Sequence, residues 1–331
     1  MAIWLNFAAI LGYLTARYSG ELPEGLYFLF SLAVGVGFVL LAAWLVYEVL
    51  HALYTLLKRV GIAKNSAFKG WLDALFLLGL MLWLGAAIAG GTAEPAVVKV
   101  RIDSGRLPKA YKIVQISDMH VGGLIGRDFV RRCVARINAL KPDLVVITGD
   151  LTDRPVGQIA EDLKPLKALR SRFGTYYVPG NHEYFHGLQE TLRYLKTLGI
   201  RVLDNRAVKI DDAFWLAGTY DYFGFRRGQF VPDITTTRAT IGDNAPVLLL
   251  THQPRMIEKL GSFRPDLILC GHTHGGQIWP FGYLVGLMQP FVSGLHPLGD
   301  KRYIYVNNGI GFWGPPMRLG SRTEIAVIEW K

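Results

Sequence analysis

The chain's 331 residues include 36 Lys and Arg against 26 Asp and Glu, for a formal net charge of +10, and 51% of them are hydrophobic. That is too long for one small domain and suits a membrane region joined to one enzyme-sized domain. The basic excess fits anionic headgroups, an anionic substrate or plain solubility, but no groove-reading basic helix or RNA-binding signature supports a nucleic-acid module, and two cysteines, Cys133 and Cys270, exclude a disulfide framework and read as buried thiols.

Apolar residues are concentrated at the start. Leu26 to Tyr47 and Ala74 to Ala93 carry no charged side chain, and each matches the twenty or so residues a helix needs to cross a hydrocarbon core. Helices apolar on every face at this length are rare inside soluble domains. Met1 to Ala16 is shorter and contains Asn6; it reads as a third span or an interfacial helix, and three spans is the reading taken. With no basic residue ahead of it and two spans behind, it makes a poor cleaved signal peptide. Lys58, Arg59, Lys64 and Lys69 lie between the long spans with no acid among them, which predicts a cytoplasmic loop and an extracytoplasmic domain. Lys99, Arg101, Arg106 and Lys109 pull the other way, but charges in a large domain weigh less. The expected divisions are a transmembrane region (1–92), a linker (93–108) and a globular domain (109–331).

From Lys109 the pattern changes. Short apolar runs at Tyr111–Ile116, Leu144–Ile147 and Tyr176–Val178 alternate with helix-spaced stretches at Arg127–Leu140, Ile159–Arg170 and Leu188–Leu198. This alternation predicts βαβ units and a largely parallel sheet. Further strands are predicted at Ala213–Ala217, Val247–Leu250, Leu267–Cys270, Tyr303–Val306 and Glu324–Glu329. Helices thin out there, so the second half is expected to be more antiparallel. The fold class is α/β, a sandwich of two mixed sheets with helices outside.

Five polar clusters each follow a predicted strand, where open α/β sheets place their ligands. Asp118 and His120 are two apart, a spacing that puts both on one face of an extended strand end. Gly149-Asp150-Leu151-Thr152-Asp153-Arg154 offers a carboxylate able to bridge two cations, or a plain helix cap. Pro179-Gly180-Asn181-His182-Glu183 is first a turn signal; its other reading gives Asn181 as an amide-oxygen ligand and His182 as an acid–base group. Thr251-His252-Gln253 alone would read as structural. Gly271-His272-Thr273-His274-Gly275-Gly276 is the most specific, with two histidines two apart and glycines that let backbone approach an ion. Each cluster has a bland reading; five at successive strand tips do not.

Such a donor set suits phosphate-ester chemistry. Two cations roughly 3.5–4 Å apart clamp the attacking and leaving oxygens of an in-line displacement, and a water between them loses its proton near neutral pH. Imidazole, carboxylate and amide donors favour Mn, Fe, Zn or Co over Ca or Mg. The five clusters, in this order, resemble the calcineurin-like metallophosphoesterase family, in its bacterial membrane-associated form. The resemblance implies a four-layered α/β/β/α sandwich and two divalent metal ions. By it, Asp118, His120, Asp150 and His274 hold the first metal. Asp150, Asn181, His252 and His272 hold the second, with Asp150 bridging. His182 is the acid that protonates the leaving group. Asp153 is expected to orient His182 or nearby loops. Arg154 matches a phosphate-touching arginine of some members, although Pro155 replaces the glycine expected after it. Arg318, in the closing segment, is expected to support structure.

The resulting expectation is a membrane-anchored phosphoesterase that hydrolyses a phosphodiester or phosphomonoester by attack of a metal-bridging hydroxide. A lipid-linked or cell-envelope substrate and contact with membrane lipids are expected, and no nucleic acid. One alternative is a pyrophosphatase of a nucleotide-activated acylated sugar, similar to the enzyme of lipid A synthesis, which needs a cytoplasmic domain. Another is a non-catalytic metal-binding scaffold or signalling protein, which loss of ligands would favour; none is lost. A transporter is disfavoured by the low polar content of the spans.

Overall fold

The structure, a computed structural model, describes residues 8–15, 23–62 and 66–331. They form two compact units. The first is helical. It holds the described residues up to Ala93 together with Ile278–Pro280 and Gly314–Leu319. Helices run over Glu24–Arg59 and Ser66–Thr92, and Gly25–Arg59 and Phe68–Thr92 are long and apolar enough to cross a membrane. Residues 8–15 are also helical; the rest of the expected third span, 1–7 and 16, lies outside the described residues, as does Lys64. The first helix has 36 residues, about 54 Å at 1.5 Å per residue, and a hydrocarbon core is about 30 Å thick. Glu48 and His51 therefore sit within one continuous helix. Tyr47 donates to Asp73 at 2.9 Å, tying the two helices together, and Lys69, one turn before Asp73 on the same helix, donates to it at 2.6 Å.

The strip Gly314–Leu319 packs closely on these helices. Ser31 Oγ donates to Gly314 O (2.6 Å), and Arg318 N–H to Ala87 O (2.7 Å). A Cβ at Gly90 or Gly91 would collide with the carbonyls of Arg318 and Pro316. Arg318 is fully buried.

The second unit contains two six-stranded sheets. The first runs in the order β1 (Ala96–Ile102), β12 (Glu324–Trp330), β2 (Tyr111–Ile116), β3 (Leu144–Thr148), β4 (Thr175–Val178), β5 (Arg201–Val202). The second runs β10 (Gly294–Gly299), β11 (Arg302–Val306), β9 (Leu267–Cys270), β8 (Val247–Leu250), β7 (Phe214–Gly218), β6 (Arg206–Ile210). The period of two sorts the side chains. Ile113, Leu144 and Val146 meet Leu216, Leu248 and Leu267 between the sheets. Val114, Val145 and Ile147 face the helices Arg127–Ala139, Val156–Leu163 and Leu188–Thr197. Leu249, Ile268 and Ile304 face the other side, with Leu260 and Phe263. The result is four layers, α/β/β/α.

Several expectations are revised. The stretch 93–108 is not a bare linker, because β1 pairs in parallel along the whole of β12. Its alternating burial leaves Lys99 and Arg101 on the open face, which hid the strand from a search for apolar runs. The helix expected at Ile159–Arg170 is Val156–Leu163 followed by a 3-10 turn, Lys164–Ala168; Pro165 has no N–H to continue the α ladder. The second sheet is antiparallel only at its edges, β6/β7 and β10/β11. Its centre, β7, β8, β9 and β11, is parallel.

Candidate metal centre

All five clusters lie at the carboxyl ends of parallel strands: β2, β3 and β4 in the first sheet, β8 and β9 in the second. Gln115 joins the sheets just below them, donating to Thr148 Oγ1 and to Cys270 O, both at 2.9 Å. The loops after β2 and β3 run side by side. Asp118, His120 and Val121 N–H bond Gly149, Asp150 and Leu151 carbonyls at 3.0, 3.0 and 2.9 Å.

The side chains do not converge by strand alternation. Asp118, His120, Asp150, His272 and His274 all have left-handed backbone, with φ of 54°, 52°, 48°, 73° and 52°. Non-glycine residues rarely take this region, and each costs on the order of 1–3 kcal/mol, retained where surrounding structure over-determines it. Here the turns aim five donors inward. Glycines make room. A Cβ at Gly180 would collide with Asp150 Oδ1, one at Gly271 with Asp118 Oδ2, and Gly149, at φ 87°, lies against His252 Nδ1 and Gly180.

Asp118/His120/His274 and Asp150/His252/His272 each cluster closely enough to hold an ion, as does His120/Asp153/His182, which shares His120 with the first. In the first, His120 Nε2 and His274 Nε2 are 3.0 Å apart, and His274 Nε2 is 3.5 Å from Asp118 Oδ1. In the second, His252 Nε2 lies 3.2 Å from Asp150 Oδ2 and 3.2 Å from His272 Nδ1. Ring nitrogens this close suit a shared cation, since metal–nitrogen bonds of about 2.0–2.1 Å bring ligating nitrogens near one another. Asn181 Oδ1 is buried with no hydrogen-bond partner. A buried amide oxygen left unpaired costs about 1–3 kcal/mol, and a cation would satisfy it. The residues present fit divalent metal ions.

Electrostatics follow from this crowding. Burial pushes the Asp118 carboxyl up, with Asp150 adding to it and His252 opposing. Burial also opposes ionisation of Asp150, yet the imidazoles of His252 and His182 hold it well below the usual range. His252 is the mirror image: burial lowers it, and Asp150 raises it well above an ordinary imidazole. Burial and the neighbouring His252 push His272 down to about 3. His252 Nδ1 donates to Thr148 O at 2.7 Å, which turns Nε2 toward Asp150.

Asp153 Oδ1 holds two rings at once, His120 Nδ1 at 2.7 Å and His182 Nδ1 at 2.6 Å. Burial opposes its charge, and the two imidazoles hold it well below the carboxylate range. His182 Nε2 then lies 3.8 Å from Asp150 Oδ2, while its backbone N–H donates to Asp150 Oδ1 at 2.8 Å. Arg154 is half-buried, its stem beside Gly122.

Some contributors carried no assigned role in the sequence. Glu183 is fully buried and accepts backbone N–H bonds from Asp150, Leu151, Thr152 and Gly180 at 3.1, 2.8, 3.0 and 2.7 Å. It fastens the Gly-Asp loop to the Asn-His loop. Asp221, after β7, is buried with Oδ2 unpaired and its acidity shifted to about 6 by burial, against the pull of His252. Its place past a strand end was the available signal. Two exposed aromatic rings, Phe185 and Trp313, stand edge-on to His182 at 6.1 and 6.3 Å between centroids.

This fold and donor set define a metallophosphoesterase domain. The calcineurin-like phosphoesterase family profile matches residues 111–276. An uncharacterized metallophosphoesterase of Helicobacter pylori is 39% identical over 268 residues, 81% of this chain and 72% of that one. A transmembrane protein with metallophosphoesterase domain from Danio rerio is 33% identical over 327 residues, 93% of this chain and 74% of that one. A metallophosphoesterase structure from Sphaerobacter thermophilus aligns with a TM-score of 0.28 at 16% identity, over 60% of this chain and 77% of that one. The chain belongs to the calcineurin-like phosphoesterase family. Its two long apolar helices, with relatives named as transmembrane proteins, point to membrane association.

Proposed function

We propose that this chain is a membrane-anchored phosphoesterase that holds two divalent cations and hydrolyses a phosphodiester or phosphomonoester. The observation that carries the reading is the adjacency of the two donor groups, Asp118/His120/His274 and Asp150/His252/His272, with His182 beside Asp150. Asp118, His120 and His274 would hold one cation and Asn181, His252 and His272 the other, with Asp150 between. When bound, the cations supply Lewis acidity that activates water and neutralises phosphate charge. The chain's own residues do the rest. Asp153 fixes the His182 ring through Nδ1, leaving Nε2 to give a proton to the departing alkoxide, a contribution of typically ~10²–10⁴-fold. Arg154 is assigned to the phosphate oxygens. The positive charge of Lys58, Arg59, Lys64 and Lys69 around the junction of the long helices, of which Lys69 pairs with Asp73, favours an extracytoplasmic domain. An anchored enzyme there meets lipid-linked or envelope phosphates.

The test is full-length protein in detergent, loaded with Mn²⁺ or Zn²⁺, assayed with bis(p-nitrophenyl) phosphate and analysed for bound metal. Two metal equivalents and turnover are expected. Inactivity across several metals and esters, with metal bound, would leave a scaffold protein instead.

A further inference from the structure

One part of the second unit is unlike the rest of its surface. Between Asp266 and Asp300 the sequence contains no Asp, Glu, Lys or Arg. Within that stretch, Phe281–Gly286 forms a short helix that buries Val285 and exposes Tyr283 and Leu284. Tyr283, Leu284, Leu287 and Met288 are 73%, 52%, 82% and 60% exposed. Single exposed apolar residues are ordinary; four within six positions of a stretch that carries no charged residue mark an interaction site.

The patch is fastened to the metal centre. Gly276, at φ 80° and two residues after His274, packs directly on Gly282, leaving no room for a Cβ. Thr273 Oγ1 donates to Val292 O at 2.6 Å, closing the far end of the segment onto the same loop. The chain also reaches the patch straight from the helical unit. Ile278, with Val39, Ala87 and Met317, makes one apolar cluster there, and Trp279 stands 5.4 Å from Trp83. Only Phe281 and Gly282 separate Pro280 from Tyr283, and an extended chain covers at most about 3.3–3.6 Å per residue.

We propose that Tyr283, Leu284, Leu287 and Met288 insert into the surface of the bilayer that holds the two long helices, and that this brings the His272–Gly276 loop to lipid-embedded phosphoesters. The inference rests on the phosphoesterase reading above for its second half only. The occupant is a lipid surface because the helices supply one within a few residues. An aromatic and aliphatic cluster with no charge suits the interfacial zone, where tyrosine and tryptophan gather.

The experiment uses the full chain reconstituted in phosphatidylcholine/phosphatidylglycerol vesicles. Leu287→Cys is labelled with an environment-sensitive fluorophore, and Glu161→Cys, on the helix Val156–Leu163, serves as the aqueous reference. Lipid-borne spin labels are expected to quench the Leu287 probe and iodide to spare it, the reverse of the reference. Iodide quenching equal to that at position 161 would overturn the proposal. In a second arm, Leu287→Glu/Met288→Glu is expected to lower kcat/KM at least tenfold for vesicle-borne hexadecyl p-nitrophenyl phosphate. It should leave bis(p-nitrophenyl) phosphate within twofold. Equal loss on both esters would mean a structural role and would also overturn it. A shielded probe in a protein inactive on either ester would uphold insertion and sink the phosphoesterase reading.

Discussion

The two sheets contribute to the metal centre in different currencies. From the first come the carboxylates of both donor groups, Asp118 and Asp150, with Asp153, Glu183, Asn181, His120 and His182. From the second come the imidazoles of His252, His272 and His274 and one further buried carboxyl, Asp221. The carboxylates sit in a dense hydrogen-bond lattice: Asp118 is met by the His272 N–H, Asp150 by that of His182, and Glu183 by four backbone donors. Among the second sheet's rings, His252 is anchored by a 2.7 Å bond to Thr148 O. The first sheet therefore fixes where negative charge lies, and the second brings neutralisable ligands up to it. A cation held by Asp118/His120/His274 or by Asp150/His252/His272 would draw ligands from both sheets.

This difference predicts graded damage. Asp150→Asn, at the junction of both donor groups, should remove both metals and reduce turnover to background; metal analysis still finding two ions would refute the bridging assignment. His182→Ala should keep the metals and lower kcat by ~10²–10⁴-fold on alkyl esters. The loss should shrink on p-nitrophenyl esters, whose leaving group needs no proton, and equal losses on both would remove His182 from the acid role. Asp153→Asn touches the same ring indirectly and should cost ~10–100-fold, with a shifted pH profile as its signature. Glu183→Gln turns amide hydrogens toward backbone donors and should destabilise the second unit by about 1–3 kcal/mol, read as a lower unfolding midpoint. Chelation of the wild-type protein is the mildest challenge. It should lower that midpoint by the binding free energy lost, and an unchanged midpoint would mean that no cation links the sheets.

Most of the donor set was legible in the sequence, because each donor's chemistry is local to its own loop. Asp150 and His274 announce themselves next to glycines at the ends of apolar runs. Their convergence was legible for a different reason than the one that operates. Alternation along an extended strand end was expected to align Asp118 with His120 and His272 with His274, whereas left-handed turns do so. Strands β1, β6 and β10 escaped notice because edge strands mix apolar and polar residues, as in Lys99 and Arg101 on β1. Asp221 escaped because one acid among aromatics looks like a turn. That Ile278–Pro280 and Gly314–Leu319 belong with the helical unit is tertiary information that no local pattern carries.

The pairing of β12 has a consequence for synthesis. Glu324–Trp330 lies between β1 and β2, parallel to one and antiparallel to the other. During translation both long helices and the eleven other strands emerge before it. Until it arrives, β1 and β2 present open edges, the kind that recruit other chains. Sheet closure therefore waits on the last strand to be made, and a chain truncated before Glu324 should be the form that chaperones and proteases recognise.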